Sequence, residues 1–127
     1  MRVLVEGVRH FYGSRREHLA LDVARFALDS GAHACVVGRS GSGKTTLLNV
    51  LAGVLVPCIG RVQVGDTELS ALSEPERDVL RARNIGCVFQ TFNLLEQLSA
   101  LENLTLAQRF AGIAAEPARR RARELLE

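Results

Sequence analysis

The sequence predicts an α/β domain that carries an antiparallel β flap at its N-terminus. A short apolar run at 33–37 precedes a glycine-rich segment at 38–43, and leucines and valines recur at helical spacing over 45–55. Two apolar segments, 2–8 and 19–28, come earlier and predict a pair of strands. Strand, glycine loop and helix thus follow one another in the order that a phosphate-binding unit requires.

The remaining strand predictions concern one exposed and one buried segment. Residues 61–64 alternate between polar and apolar side chains and end at a Gly-Asp turn, which predicts an exposed strand that completes the flap. Residues 85–89 are mostly apolar and run into Gln90, so they predict a core strand. The segments 33–37 and 85–89 would then form the parallel core of the domain.

Local sequence patterns predict the N-termini of three helices. Ser73 and Ser99 are each followed three residues later by glutamate, which is the capping-box pattern at a helix N-terminus. Glu116 and Pro117 predict the start of a last helix, whose pattern continues to the final residue. The second half of the chain is therefore expected to be mainly helical.

The glycine-rich segment matches the phosphate-loop pattern G-x-x-x-x-G-K-[ST], with Lys44 and Thr45 at its end. Glycines allow successive backbone N–H groups to point at a phosphate, and the following helix N-terminus adds partial positive charge. Lys44 is the only lysine among 16 basic residues. Its compact ammonium group on a flexible stem suits contact with phosphate oxygens. We therefore expect Lys44 to reach the β- and γ-phosphates and the Thr45 hydroxyl to bind Mg²⁺.

The predicted phosphate site includes the loop and the first turn of the helix. Gly41 and Gly43 are expected to keep the loop open. A glycine-rich turn without a ligand would explain the glycines but not the lysine-threonine pair. The predicted cofactor-binding residues of this segment are Gly38, Ser40, Gly41, Ser42, Gly43, Lys44, Thr45 and Thr46.

Composition limits the other function classes. A length of 127 residues with 47% hydrophobic residues fits one modest domain, and a net charge of +2 gives no information about partners. The arginines at 119–123 lack interleaved aromatic residues, so we expect a solvated helix face and no nucleic acid partner. We also expect a cytosolic chain, because no apolar run approaches the length of a membrane span. Cys35 and Cys87, in apolar runs, are expected to be buried reduced thiols.

Taken together, these residues resemble the ATP-binding subunits of ABC transporters along the whole chain. Besides the phosphate loop, the resemblance rests on Phe11-Tyr12-Gly13 and on the segment 85–95, which is similar to the family's Q-loop. It implies that Tyr12 stacks on adenine. It also implies that Gln90 contacts Mg²⁺ and the attacking water, and that its loop links the nucleotide site to a transmembrane permease subunit. Lys44 and Gln90 are thus the expected catalytic residues, and Thr45 and Gln90 the expected metal ligands.

Within that family, the segments 92–95 and 98–103 most resemble subunits of the lipoprotein-release and macrolide-export type. Two departures weaken this subgroup assignment. Glu96 replaces the usual proline after the double leucine, and the family's Pro-x-x-Gly turn at 57–60 has apolar residues in its middle. The sequence does not identify the transported substrate.

The resemblance implies a P-loop NTPase of ABC type, of which 1–127 is the N-terminal part of one nucleotide-binding domain that ends within the helical subdomain. The family's signature motif of the Leu-Ser-Gly-Gly-Gln kind, its aspartate-glutamate pair and its switch histidine do not occur in these residues. We therefore expect 33–37 and 85–89 to lack their usual neighbouring strands and to expose apolar side chains.

Three functions remain open at this point. The first is ATP and Mg²⁺ binding in a transporter subunit that couples hydrolysis to export or to lipid or lipoprotein extrusion, on the inner face of the cell membrane. Family members also dimerise, although this chain lacks the signature motif for a composite site. The second is an ATP-binding fragment that does not hydrolyse. The third is another phosphate-loop enzyme such as a small kinase, which Tyr12 and Gln90 disfavour.

Overall fold

A computed structural model describes residues 1–13 and 17–127. The chain divides into two compact units, Met1–Arg77 and Asp78–Glu127. The elements in chain order are β1 (Val3–Tyr12), β2 (His18–Leu28), α1 (Lys44–Leu51), β3 (Ile59–Val64), β4 (Thr67–Glu68), a 3-10 turn (Leu69–Ala71), α2 (Glu74–Asn84), α3 (Ala100–Phe110) and α4 (Ala115–Leu126).

The first unit is built on a four-stranded antiparallel sheet with the order β2-β1-β3-β4. Val5 on the central strand β1 lies opposite Phe26 of β2 and Val62 of β3. The predicted antiparallel flap is therefore confirmed. The prediction that 61–64 is an exposed strand is wrong for its apolar positions, because Val62 and Val64 are buried on the inner face. Strand β1 also extends beyond the predicted residue 8, and this extension places Tyr12 at its end.

The core of the first unit lies between one face of the sheet and the elements that cover it. Its largest fully buried side chains are those of Val5, Val8, Val50, Val62 and Leu69. Burying a valine or leucine side chain contributes about 1.5–3 kcal/mol as an upper estimate. Val50 belongs to α1, and α1 also contacts β2, so this helix packs against the first unit's sheet.

In the second unit, α3 and α4 pack together through small residues. Ala118 and Ala122 of α4 are fully buried. The N-terminus of α3 has the predicted capping box: the Glu102 N–H donates to Ser99 Oγ, and the Glu102 carboxylate accepts from the Ser99 N–H at 2.8 Å. The Ser99 hydroxyl and N–H together lower the pKa of Glu102. In the first unit, at the start of α2, the Glu76 carboxylate likewise accepts from the N–H and hydroxyl of Ser73.

The two predicted core strands are not formed. Residues 33–37 and 85–89 have neither helical nor strand structure, and neither segment belongs to the four-stranded sheet. The physical reason is that a strand exists through hydrogen bonds to a neighbouring strand, and none of the described strands pairs with these segments. As expected for an unfilled sheet, Val37 and Phe89 are 83% and 61% exposed. The prediction that Cys35 and Cys87 are buried is wrong for the same reason, since both are exposed.

Among the described residues, no helix combines the length and apolar character that crossing a membrane requires. Helix α1 is also shorter than the predicted span 45–55, because it ends at Leu51 and Gly53 follows at φ +68°. A positive φ is incompatible with a continuing right-handed helix, so Gly53 marks the turn toward β3.

Candidate functional site

The glycine-rich loop packs directly against the backbone of β2. Gly43, which precedes α1, has φ +86°, and a Cβ placed there would lie 2.5 Å from the carbonyl oxygen of Ala20. Gly41 has φ +79° but no neighbouring atom within 4 Å of such a Cβ. The Ser42 N–H donates to the Arg39 carbonyl at 3.2 Å, which closes a turn between them. The loop shape therefore depends on glycine at 41 for its dihedral angle and at 43 for both angle and space.

Lys44 extends back across this loop. Its Nζ donates to the carbonyl oxygens of Gly38 at 2.8 Å and Arg39 at 2.7 Å. An ammonium group has three donors. Two of them fix the positive charge at the loop, and the group keeps the capacity to donate to another acceptor.

The first turn of α1 adds backbone donors to the same place. The N-cap residue Gly43 makes no side-chain cap hydrogen bond, and the first turn contains no acidic residue. The leading N–H groups of a helix have no partner within that helix, and the helix dipole gives them partial positive charge. Together with Lys44, they form an anion-binding arrangement.

Tyr12 lies beside the first turn of α1. Its hydroxyl is 3.5 Å from Thr46 Oγ1, and Thr46 is buried while Tyr12 is 45% exposed. The ring of His10 meets the Tyr12 ring edge-on, with centroids 5.0 Å apart and planes at 77°. These contacts hold Tyr12 from two sides and leave part of its ring accessible.

A cavity of about 380 Å³ joins the aromatic ring to the phosphate loop. Its lining consists of Tyr12, His18, Ala20, Ser40, Gly41, Gly43, Lys44, Thr45 and Thr46. The structure therefore brings together seven of the predicted site residues. Gly38 contributes a carbonyl to Lys44, and Ser42 lines a neighbouring cavity of about 400 Å³.

Sequence reasoning missed two lining residues, His18 and Ala20. Both belong to β2, and His18 lies opposite Tyr12 in the β1–β2 register. His18 could have been found by extending the predicted strands 2–8 and 19–28 to Tyr12 and His18 and pairing them antiparallel, since residues opposite each other share their surroundings. That pairing does not identify Ala20, which lies two residues further along β2.

The charge of this cavity favours an anion. Among the described residues that line it, Lys44 carries the fixed positive charge and none is acidic. Lys44, the open helix N-terminus and an accessible aromatic ring fit a nucleotide, whose phosphates are anionic and whose base can stack. The exposed Thr45 hydroxyl fits Mg²⁺, which commonly uses one or two protein ligands beside phosphate oxygens.

Gln90 belongs to the second unit, in a stretch between α2 and α3 that has no helix or strand. It is exposed, as are the nearby apolar side chains of Phe89, Phe92 and Leu94. Its contact with metal and water stays a prediction from the resemblance.

Comparison with known proteins gives a family match and several relatives. The model of the ABC transporter family matches residues 21–127. An uncharacterized ABC transporter ATP-binding protein of Mycobacterium tuberculosis is 41% identical over 107 residues, which are 84% of this chain and 43% of that protein. The lipoprotein-releasing system ATP-binding protein LolD of Pseudomonas syringae pv. tomato is 42% identical over 109 residues, which are 86% of this chain and 48% of that protein.

The methionine import ATP-binding protein MetN of Rhodopseudomonas palustris is 40% identical over 128 aligned residues, covering 98% of this chain and 34% of that protein. The chain thus spans less than half the length of these three relatives. The predicted similarity to lipoprotein-release subunits is confirmed, at an identity close to that with the methionine-import protein.

A solved structure has the same fold. The ATP-binding cassette MJ0796, in a dimeric post-hydrolysis state bound to ADP and Pi, superposes with a TM-score of 0.85 at 33% identity. The match covers 96% of this chain and 54% of that one. The predicted fold class is therefore confirmed.

Proposed function

The chain belongs to the ABC transporter family, and we propose that residues 1–127 are the N-terminal part of one nucleotide-binding domain that binds ATP with Mg²⁺. One observation carries this proposal. Lys44 is fastened to two loop carbonyls at 2.7 and 2.8 Å beside a cavity that Tyr12 also lines. A positive charge and an aromatic face at one cavity support binding of the two chemically different ends of one nucleotide.

Each residue would have a separate part in binding. The backbone N–H groups at the start of α1 and the Lys44 ammonium would donate to phosphate oxygens, and hydrogen bonds to charged groups contribute about 1.5–3 kcal/mol each. Tyr12 would stack on adenine, a contact of about 1–3 kcal/mol per base. The Thr45 hydroxyl would hold Mg²⁺, which supplies neutralisation of phosphate charge when bound.

For the whole protein, we propose ATP hydrolysis coupled to transport across a membrane. In this proposal Gln90 contacts Mg²⁺ and the attacking water, and its loop meets a transmembrane permease subunit at the inner face of the membrane. The exposed apolar side chains of Phe92 and Leu94 support a protein contact at this loop. The dimeric state of the solved cassette supports dimerisation. The related proteins are named for lipoprotein release and for methionine import, so the proposal names no single cargo.

A second candidate function is ATP binding without turnover by these 127 residues. Their sequence contains no aspartate-glutamate pair of the family kind, and phosphoryl transfer depends on residues that hold the metal and position the water. Release of inorganic phosphate from ATP by the purified 127-residue chain tests this second candidate. A rate well above background would refute the second candidate.

The binding proposal itself is tested with a fluorescent ATP analogue. Titration of the chain in the presence of Mg²⁺ should show saturable binding, and Lys44→Ala should weaken it by about tenfold or more because a charge-assisted hydrogen bond is lost. Arg25→Ala is the matched control, since it removes one positive charge from an exposed position on β2. Equal affinity in the wild type and Lys44→Ala would contradict the proposal.

A further inference from the structure

The side chain of Asn103 joins the first turn of α3 to the chain that precedes it. Its Oδ1 accepts from the Leu95 N–H at 2.9 Å, and its Nδ2 donates to the Leu95 carbonyl at 3.1 Å. The same Nδ2 also lies within hydrogen-bond distance of the carbonyls of Leu98 at 3.0 Å and Ser99 at 3.1 Å, so its two N–H groups are shared among three acceptors. One half-buried amide thus contacts three backbone residues just before the helix.

These contacts require an amide at this position. Leu95 presents one N–H and one C=O, and the amide offers the complementary oxygen and NH₂ group. A carboxylate of the same shape would face three carbonyl oxygens with no proton to donate. This repulsion would turn it away from Leu95, so that the Leu95 N–H would lose its acceptor as well. A merely space-filling role would tolerate such a change, whereas a hydrogen-bonding role would not.

The segment that Asn103 holds continues from the loop that carries Gln90. Residues 85–99 lie between α2 and α3 without a helix or strand of their own. The end residues Ile85 and Ser99 are bonded to the adjoining helices α2 and α3. Between them, two local hydrogen bonds restrain residues 86–98 besides those of Asn103: the Leu98 N–H donates to the Leu95 carbonyl at 3.0 Å, and the Thr91 hydroxyl donates to Asn93 Oδ1 at 2.8 Å. Both lie between residues close in sequence, so they do not attach the stretch to a helix. Asn103 does, through Leu95.

We propose that Asn103 is a positioning residue, which anchors the downstream end of the Gln90 loop to α3 and so restrains the stretch 90–95. What this loop contacts rests on the proposed function above; the anchoring itself does not. The anchor would set how Gln90 and the exposed side chains of Phe92 and Leu94 are presented to a partner.

Hydrogen exchange of the 127-residue chain, followed by mass spectrometry in peptides covering 90–99, tests the anchor. We expect Asn103→Asp to raise the exchange rate of the Leu95 amide by about tenfold, and to raise exchange across 90–95 as well. The matched control is Asn84→Asp, which makes the same change of charge where the amide donates one bond, to the Leu80 carbonyl. It should leave exchange at 95–99 unchanged.

The outcomes separate clearly. Equal exchange at Leu95 in the wild type and Asn103→Asp would overturn the proposal, as would an equal increase in the control. If far-UV circular dichroism shows that Asn103→Asp loses helix, Asn103→Ser takes its place. Its hydroxyl can bond to the preceding turn but is too short to reach Leu95 in the same way. Protection of Leu95 retained in a folded Asn103→Ser variant would also overturn the proposal.

Failure of this proposal is distinguishable from failure of the proposed function. The exchange experiment contains no nucleotide, so it does not depend on ATP binding. Unchanged ATP binding in Lys44→Ala would contradict the proposed function and leave the anchor intact. Unchanged exchange at Leu95 in Asn103→Asp would contradict the anchor and leave the proposed function intact.

Discussion

Replacing Gly43 by alanine should destabilise the first unit more than replacing Gly41, although both glycines belong to the same loop. The two residues have similar positive φ angles, +86° and +79°. They differ in space, because a Cβ on Gly43 would lie 2.5 Å from the Ala20 carbonyl oxygen, while a Cβ on Gly41 would meet nothing within 4 Å. The comparison therefore separates the cost of the backbone angle from the cost of the close contact.

The magnitudes follow from these two contributions. An alanine in the left-handed region costs roughly 1–2 kcal/mol, and this cost applies to both variants. The contact at Gly43 requires the loop or β2 to move, and forced overpacking costs about 1–3 kcal/mol more. We therefore expect the free energy of unfolding to fall by about 1–2 kcal/mol in Gly41→Ala and by about 2–5 kcal/mol in Gly43→Ala.

Urea unfolding followed by far-UV circular dichroism measures both values. Gly31→Ala provides a reference outside the loop, since Gly31 also has φ +79° and open space around its Cβ position. ATP affinity is measured in parallel, because a shifted loop would misplace the Lys44 ammonium. The same loss of unfolding free energy in Gly43→Ala and Gly41→Ala would refute the claim that the loop packs on the β2 backbone.

Two further predictions concern the aromatic ring and the helix cap. Tyr12→Ala should weaken ATP binding by about 1–3 kcal/mol while Tyr12→Phe keeps an affinity near that of the wild type, because stacking needs the ring and not the hydroxyl. Calorimetric titration measures both affinities, and an equal loss in the two variants would contradict this. Folding lowers the pKa of Glu102 through its hydrogen bonds with Ser99, so its contribution to α3 is complete above its unfolded pKa and is lost as pH falls through the lower folded pKa. Glu102→Gln should remove this acid sensitivity from the protection factor of the Ser99 N–H, measured by hydrogen exchange at several pH values. The same dependence of the protection factor on pH in Glu102→Gln and the wild type would contradict this.

Local features of the fold could be predicted from the sequence. The capping box at Ser99 depends only on residues three positions apart, and the strand at 19–28 depends on residues that alternate along one segment. The phosphate loop was predictable because its glycines and Lys44 all lie within residues 38–44. Each of these signals lies within a few residues of the structure that it specifies.

The features that were missed depend on contacts between distant residues. The segments 33–37 and 85–89 have the composition of strands, but strand formation needs a paired neighbour that composition cannot reveal. The closeness of Ala20 to Gly43 follows from the packing of a loop on a strand, and the part of His18 in the cavity follows from strand register. The Asn103 contacts were equally hidden, because an asparagine early in a helix carries no local signal for the carbonyls that it will bind.

The central claim is that Lys44 binds the outer phosphates of a nucleotide whose base lies near Tyr12. Calorimetric titration of ATP and of AMP into the wild type and Lys44→Ala, with Mg²⁺ present, tests it most directly. We predict that Lys44→Ala weakens ATP binding by about tenfold or more and changes AMP binding by no more than about twofold, because AMP lacks the β- and γ-phosphates. Equal losses for ATP and AMP, or no loss for either, would contradict the claim.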